Sequence, residues 1–291
     1  MKLLTPEILQ RIPAYRLQSS LVARGSHRGE RKSSKLGTSL EFSDYRLYAP
    51  GDDPRQIDWN AFARTKRHYI KRYMDEQEFM LSLYLDVTSS IITHDRKREV
   101  TMALTGALGY MGLCGDDRVS VHPVGGATVS FPFRKGRPFA SHLLRYLERL
   151  DLTNDRVTQS FSLGMLEKLP QKSGMTIIVS DFMEPLEELT TSLKKLQSRR
   201  QQLRLIQVLA EEELHPAFSG DLKLIDSETS NEQNVSMNRS VLESYEQRLK
   251  DHQESLSQFC SKRGIGLVTC ATSESVDNVL FTVLRKKGWV G

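Results

Sequence analysis

FMLSLYLDVTSS, residues 79–90, is the stretch from which the rest of the chain can be read. Its first seven residues are apolar or small, lack the alternation of a half-solvated strand, and stop at Asp86. A short run of this kind suits a strand buried on both faces of a parallel sheet. MTIIVSD (175–181) repeats the pattern and again stops at an aspartate, Asp181. LRLIQVLA (203–210) and GLVTCAT (266–272) supply two more such strands. Between them the period becomes helical. Val100, Ala103, Leu104, Ala107, Leu108 and Met111 share one face over 95–112, and Leu143, Leu144, Leu147 and Leu150 share one over 138–150. Further helices are expected at 160–169, 184–199, 240–262 and 274–287. RVSVHPV (118–124) and ATVSFPF (127–133), joined by Gly125-Gly126, read as a hairpin, and 222–238 as a small β excursion. Strand–helix alternation without an internal repeat predicts an α/β fold: an open, mostly parallel sheet with helices on both faces.

In such sheets ligands bind at the carboxyl ends of strands, near the reversal of strand order. Asp86-Val87-Thr88-Ser89-Ser90 places a carboxylate at a strand end and hydroxyls at Thr88 and Ser90 in the turn after it. Asp181 ends another buried strand. Hard oxygen donors of this kind suit magnesium, with manganese or calcium as alternatives. Thr158 is a candidate further hydroxyl ligand, with Ser160 competing for the role. The same pattern is also that of an ordinary helix N-cap, and the residues alone leave both readings open. The chain has no Gly-x-x-x-x-Gly-Lys-[Ser/Thr], Gly-x-Ser-x-Gly, His-Glu-x-x-His or Cys-x-x-Cys. A non-enzymatic protein is therefore expected. The enzymatic alternative is a magnesium-dependent phosphohydrolase with Asp86 as nucleophile, although the second acid such sites want two residues on is here Thr88.

Residues 1–78 read as a separate basic and aromatic segment with some β content, and 79–291 as the main domain. A short helix is expected from Pro6 to about Ile12, capped by Thr5. Residues 1–72 carry 15 Lys and Arg against 7 Asp and Glu, whereas the remainder carries 26 against 29. A basic arm of this kind can mark nucleic acid or an acidic protein partner. In 41–73, however, Arg46, Arg55, Arg64 and Arg67 alternate with Asp44, Asp52, Asp53 and Asp58. Internal ion pairs are therefore expected, with Tyr45, Tyr48, Trp59 and Phe62 as packing residues, and nucleic-acid binding is the lesser alternative. Three unpatterned cysteines, no apolar leader in MKLLTPEILQRIPAYR and no apolar run of 18 residues lead to a cytoplasmic expectation.

Glu41-Phe42-Ser43-Asp44-Tyr45-Arg46-Leu47-Tyr48-Ala49-Pro50-Gly51-Asp52-Asp53-Pro54-Arg55-Gln56-Ile57-Asp58-Trp59, followed by Ala63-Arg64, resembles the signature of the bacterial domain-of-unknown-function 58 family. The likeness continues through Asp86–Ser90, Ser180-Asp181, Asp226–Thr229 and Tyr245, over nearly the whole chain. The resemblance implies a von Willebrand factor A-like, Rossmann-like main domain carrying a metal-ion-dependent adhesion site. Its matching positions are Asp86, Thr88, Ser90 and Asp181, with Thr158 a further one. It gives Arg46, Tyr48, Gly51, Asp52, Asp53, Arg55, Asp58, Trp59 and Arg64 a structural or partner-binding role. It also implies a MoxR-type AAA+ ATPase as partner, with an unidentified client protein whose assembly or maturation is assisted. Thr88 and Ile91 stand where serine and methionine are usual, and neither change removes an oxygen ligand.

Overall fold

Apolar side chains near the N-terminus find their burial far along the chain, and this sets the division of the molecule. The structure, a computed structural model, describes residues 3–19, 42–73, 79–126, 128–150, 152, 160–216, 220–225, 232–237 and 239–291, with backbone alone for 42–44, 72–73, 220–225 and 232–237. Two compact units result, Met1–Ser19 with Met80–Gly291, and Ser20–Phe79. The single segment expected over 1–78 is thus divided. Its first helix, α1 (Pro6–Arg11), starts as expected, with the Thr5 side chain accepting from the Ile8 amide. Ile12 and Leu17 after it are buried, and Leu17 bridges antiparallel to Val290. Buried Arg204 donates to the carbonyls of Gln18 and Trp289, at 2.5 and 3.2 Å, tying the two ends of the chain together.

In the smaller unit β1 (Phe42–Leu47) and β2 (Tyr69–Tyr73) pair antiparallel, with α2 (Trp59–Thr65) between them in sequence. The signature residues make its turns and caps. Gly51 takes φ 104°, open to glycine at little cost, and Asp52 accepts from Arg46 at 2.7 Å and from the Ala49 amide at 2.9 Å. Asp53 accepts from the Arg55 amide. Buried Asp58 caps α2 through the amides of Asn60 and Ala61, accepts from the Tyr45 hydroxyl at 2.8 Å and lies 3.2 Å from Lys71 Nζ. The Tyr45 hydrogen bond leads in holding its carboxyl down at about 2. The expectation that ion pairs use most of this charge needs correction. Among the described residues Arg55, Arg64 and Arg67 have no carboxylate partner, and Trp59 is 60% exposed rather than packed.

The larger unit continues as β3 (Met80–Asp86), α3 (Ser89–Ile92), α4 (Asp95–Cys114), β4 (Arg118–Val124), β5 (Phe131–Lys135), α5 (Ala140–Glu148), α6 (Phe161–Glu167), β6 (Gly174–Ser180), α7 (Leu186–Ser198), β7 (Gln201–Leu209), α8 (Glu211–Leu214), β8 (Gly220–Ile225), β9 (Glu232–Met237), α9 (Arg239–Lys262) and β10 (Gly266–Ala271). A final helix carries a π-helical turn at Val279–Val283. The sheet order is β10-β7-β6-β3-β4-β5, parallel except for the edge strand β5. This is the mostly parallel, Rossmann-like α/β arrangement that the apolar runs predict. The hairpin partner β5 starts at Phe131 rather than at 127, and β8 and β9 form the small excursion. Tyr84, Ile178, Leu203 and Leu205 pack with Phe161, Leu189, Leu193 and Leu256 of α6, α7 and α9. On α4, burial extends well beyond the single face expected. Gly106, Gly109 and Gly112 make this possible: a Cβ there would lie 2.7, 2.4 and 2.9 Å from Leu3, Leu143 and Val119 side chains. Among the described residues no helix is long and apolar enough to cross a membrane.

Candidate metal centre

The strand order reverses around β3: the chain runs from it to β4 on one side, and later strands β6, β7 and β10 line up on the other. Asp86 and Ser180 close β3 and β6, so the parallel register that pairs Leu85 with Val179 brings the two strand ends side by side. Ser180 Oγ donates to Asp86 Oδ2 at 2.5 Å. Asp86 Oδ1 accepts from the Thr88 amide and from Thr88 Oγ1, at 2.8 and 2.7 Å. Thr88 Oγ1 lies 3.1 Å from Ser90 Oγ. Thr88 stands at the N-cap of α3, yet its side chain makes no capping bond. Its hydroxyl goes to Asp86 instead, which separates this turn from an ordinary cap.

Asp181 follows directly after β6. Its Oδ1 accepts from the Met183 amide at 3.3 Å, and its carbonyl from Gln207 Nε2 at 2.9 Å. Phe182 next to it takes φ 53°, a conformation costly for a bulky side chain. Two bonds hold it there: its amide donates to Ser180 Oγ, and its carbonyl accepts from His252 Nε2 at 2.7 Å. The loop that carries Asp181 is therefore pinned at both ends.

Sequence reasoning missed Lys97, 1% exposed in the first turn of α4. Its Nζ donates to Asp181 Oδ2 at 2.7 Å and to Glu213 Oε1 at 2.9 Å. Burial works against the charge of Lys97, but Asp181 and Glu213 hold its pKa above the ordinary lysine value. Burial, and then the neighbouring Asp181 carboxylate, push Asp86 up to about 7 against the bonds from Ser180 and Thr88. Asp86, Asp181 and Glu213 are three carboxylates against one ammonium. A divalent cation would favour the ionised form of Asp86 beside Asp181 and so offset what burial and the neighbouring carboxylate impose. Among the described residues no three His, Cys, Asp or Glu side chains are grouped to hold a metal. Hydroxyls and two carboxylates fit magnesium, which keeps part of its water and needs few protein ligands.

Gly125 was read only as a turn residue and has a second role. With φ 111°, a Cβ there would lie 2.7 Å from Thr88 Cγ2 and 2.9 Å from the Thr88 amide nitrogen, so its backbone is the wall of the Asp86–Ser90 turn. Ser160 is spent elsewhere: it caps α6 by accepting from the Leu163 amide and donates to Glu188. Thr158 and the stretch 226–229 lie outside the described residues. The signature residues from Arg46 to Arg64 lie in the smaller unit.

Residues 44–255 match the family described as "Protein of unknown function DUF58". An uncharacterized protein of Mycobacterium bovis and one of Mycobacterium tuberculosis are each 24% identical over 260 residues, covering 87% of this chain and 81% of theirs. Among solved structures, the chain is similar to the crystal structure of the conserved hypothetical protein BatB from Bacteroides thetaiotaomicron. The identity is 11% and the TM-score 0.43, over 72% of this chain and 97% of that one. Because the family match spans both the aromatic signature and the strand-end cluster, this chain belongs to the DUF58 family of proteins of unknown function.

Proposed function

We propose that the protein is a non-enzymatic adaptor whose larger unit, of von Willebrand A type, binds an acidic side chain of a client protein through a divalent ion. Asp86, Thr88, Ser90 and Asp181 would hold the ion, magnesium before manganese or calcium. The observation that carries this reading is the convergence of two buried carboxylates and the hydroxyls of Thr88, Ser90 and Ser180 at adjacent parallel strand ends, with Lys97 as their counter-charge among the described residues. The ion, when bound, supplies a Lewis-acidic point to which a carboxylate can attach. Thr88 and Ser90 contribute neutral oxygens, while Asp86 and Asp181 compensate the charge. Lys97 keeps Asp181 in position. The resemblance adds a MoxR-type AAA+ ATPase in the cytoplasm, which would supply the hydrolysis that this chain's motifs lack.

A phosphohydrolase is the weaker reading. The second acid that such sites want two residues after the nucleophile is here Thr88, a hydroxyl that donates to Asp86. Thermal melts with magnesium and with chelator test the adaptor reading. At a hundredfold excess over its dissociation constant the ion stabilises by about 2.7 kcal/mol, and Asp86→Ala should lose that response. An identical response to magnesium in both proteins would remove the site. Co-purification with a MoxR-type ATPase, lost in Asp86→Ala, tests the partner.

A further inference from the structure

We infer that α2 and the turns that flank it in the smaller unit form a docking surface for an acidic segment of a partner protein. The inference stands apart from the metal centre. Seven large apolar side chains are exposed among the described residues, and three of them, Tyr45, Leu47 and Trp59, belong to this unit. Trp59, at 60% exposure, opens α2. Its ring stands edge-on to Phe62 and His68 at 6.0 and 6.2 Å, and His68 stacks on Phe62 at 4.5 Å. The indole is thus supported from below and open above. A held aromatic side chain loses little freedom on binding, and Trp, Tyr and Arg dominate interface hot spots.

The charge around it selects the partner. Arg55, Arg64, Lys66 and Arg67 are exposed, on α2 and the turns that flank it, and among the described residues none has a carboxylate partner. The acids of the same stretch are committed locally: Asp52 to Arg46, Asp58 to Tyr45, Lys71 and the start of α2, and Asp53 to the Arg55 amide. Cations without a carboxylate partner among the described residues, in the same small unit as an open indole, match a segment carrying carboxylates and an apolar side chain. Protein fits better than nucleic acid. Leu47, 54% exposed, offers an aliphatic contact that base stacking does not use.

The chain contains its own reporter. Of its two tryptophans Trp289 is buried at 6% exposure, so a ligand-induced change in emission reads Trp59. The probe is a labelled amphipathic peptide of glutamate and leucine at helical spacing, with single-stranded DNA in a parallel titration. Saturable peptide binding should shift the emission to the blue and weaken as salt is raised. Anisotropy of the label should show about tenfold weaker binding to Trp59→Ala and to Arg64→Ala/Arg67→Ala. These side chains are exposed, so both variants should melt like the parent, and Asp86→Ala should bind the peptide normally. No saturable peptide binding, equal affinity in the Arg64/Arg67 variant, or tighter binding of DNA than of peptide would each overturn the inference.

Discussion

Lys97 Nζ donates to Asp181 Oδ2 at 2.7 Å, and the lysine side chain is 1% exposed. The same nitrogen reaches Glu213 Oε1 at 2.9 Å, and Tyr245 on α9 donates to the Glu213 carbonyl at 3.1 Å. One buried ammonium therefore joins the end of β6 to α8 and, through it, to α9. Lys97→Met keeps most of the volume and removes the charge. It leaves Asp181 buried without its cation and still beside Asp86, a situation that costs about 3–5 kcal/mol when one partner of a buried pair is removed. Urea unfolding in chelator should show that loss. Magnesium should recover part of it, so the variant should gain more from the ion than the parent does. A variant as stable as the parent in chelator would show that Lys97 is not the counter-charge of this site.

Gly125 tests the position of the turn without touching a donor atom. A Cβ at this residue would press on Thr88 Cγ2 and on the Thr88 backbone, at 2.7, 2.9 and 3.1 Å, and the backbone has no free end to swing away. The φ of 111° adds strain for any L side chain. Gly125→Ala should cost roughly 1–3 kcal/mol and blunt the magnesium response. At Gly126 the nearest atom to a new Cβ is 3.7 Å away, so Gly126→Ala is the matched control and should change little. Equal behaviour of the two variants in melts with and without magnesium would free the Asp86–Ser90 turn from β4.

The parallel sheet and both strand-end aspartates were legible in the sequence because burial on both faces leaves unbroken apolar runs, and charge can return only where a strand ends. Ser180, one residue before Asp181, was not singled out as part of the site, because a small residue ending an apolar run looks like part of the strand. Lys97 was not legible either. It lies in Asp95-Arg96-Lys97-Arg98-Glu99, where it looks like its solvated neighbours, and only the arrival of Asp181 and Glu213 from two other elements makes it a buried ion. The extent of burial on α4 was hidden for a related reason: glycines lower the hydrophobicity of a helix face while permitting the closest packing on it. Trp59 misled in the opposite direction. Aromatic composition predicts burial on average, yet Trp59 is 60% exposed.

His122 gives the larger unit a pH dependence of its own. The ring on β4 lies between Ser120 Oγ and Ser130 Oγ, at 2.9 and 3.2 Å, and 5.2 Å from the Tyr84 ring. Burial first, and the Lys168 cation second, lower its pKa from 6.5 to about 4. Between those values the unfolded chain binds a proton that the folded one refuses. The contribution of His122 to stability is therefore complete above about pH 6.5 and is lost as the pH falls to about 4. The shift corresponds to on the order of 3 kcal/mol. His122→Gln retains hydrogen-bonding groups and removes the titration, so its urea midpoint should fall less steeply than that of the parent across this window. Parallel slopes in the two proteins would assign the acid sensitivity to other groups, because nothing else in the substitution alters proton uptake on unfolding.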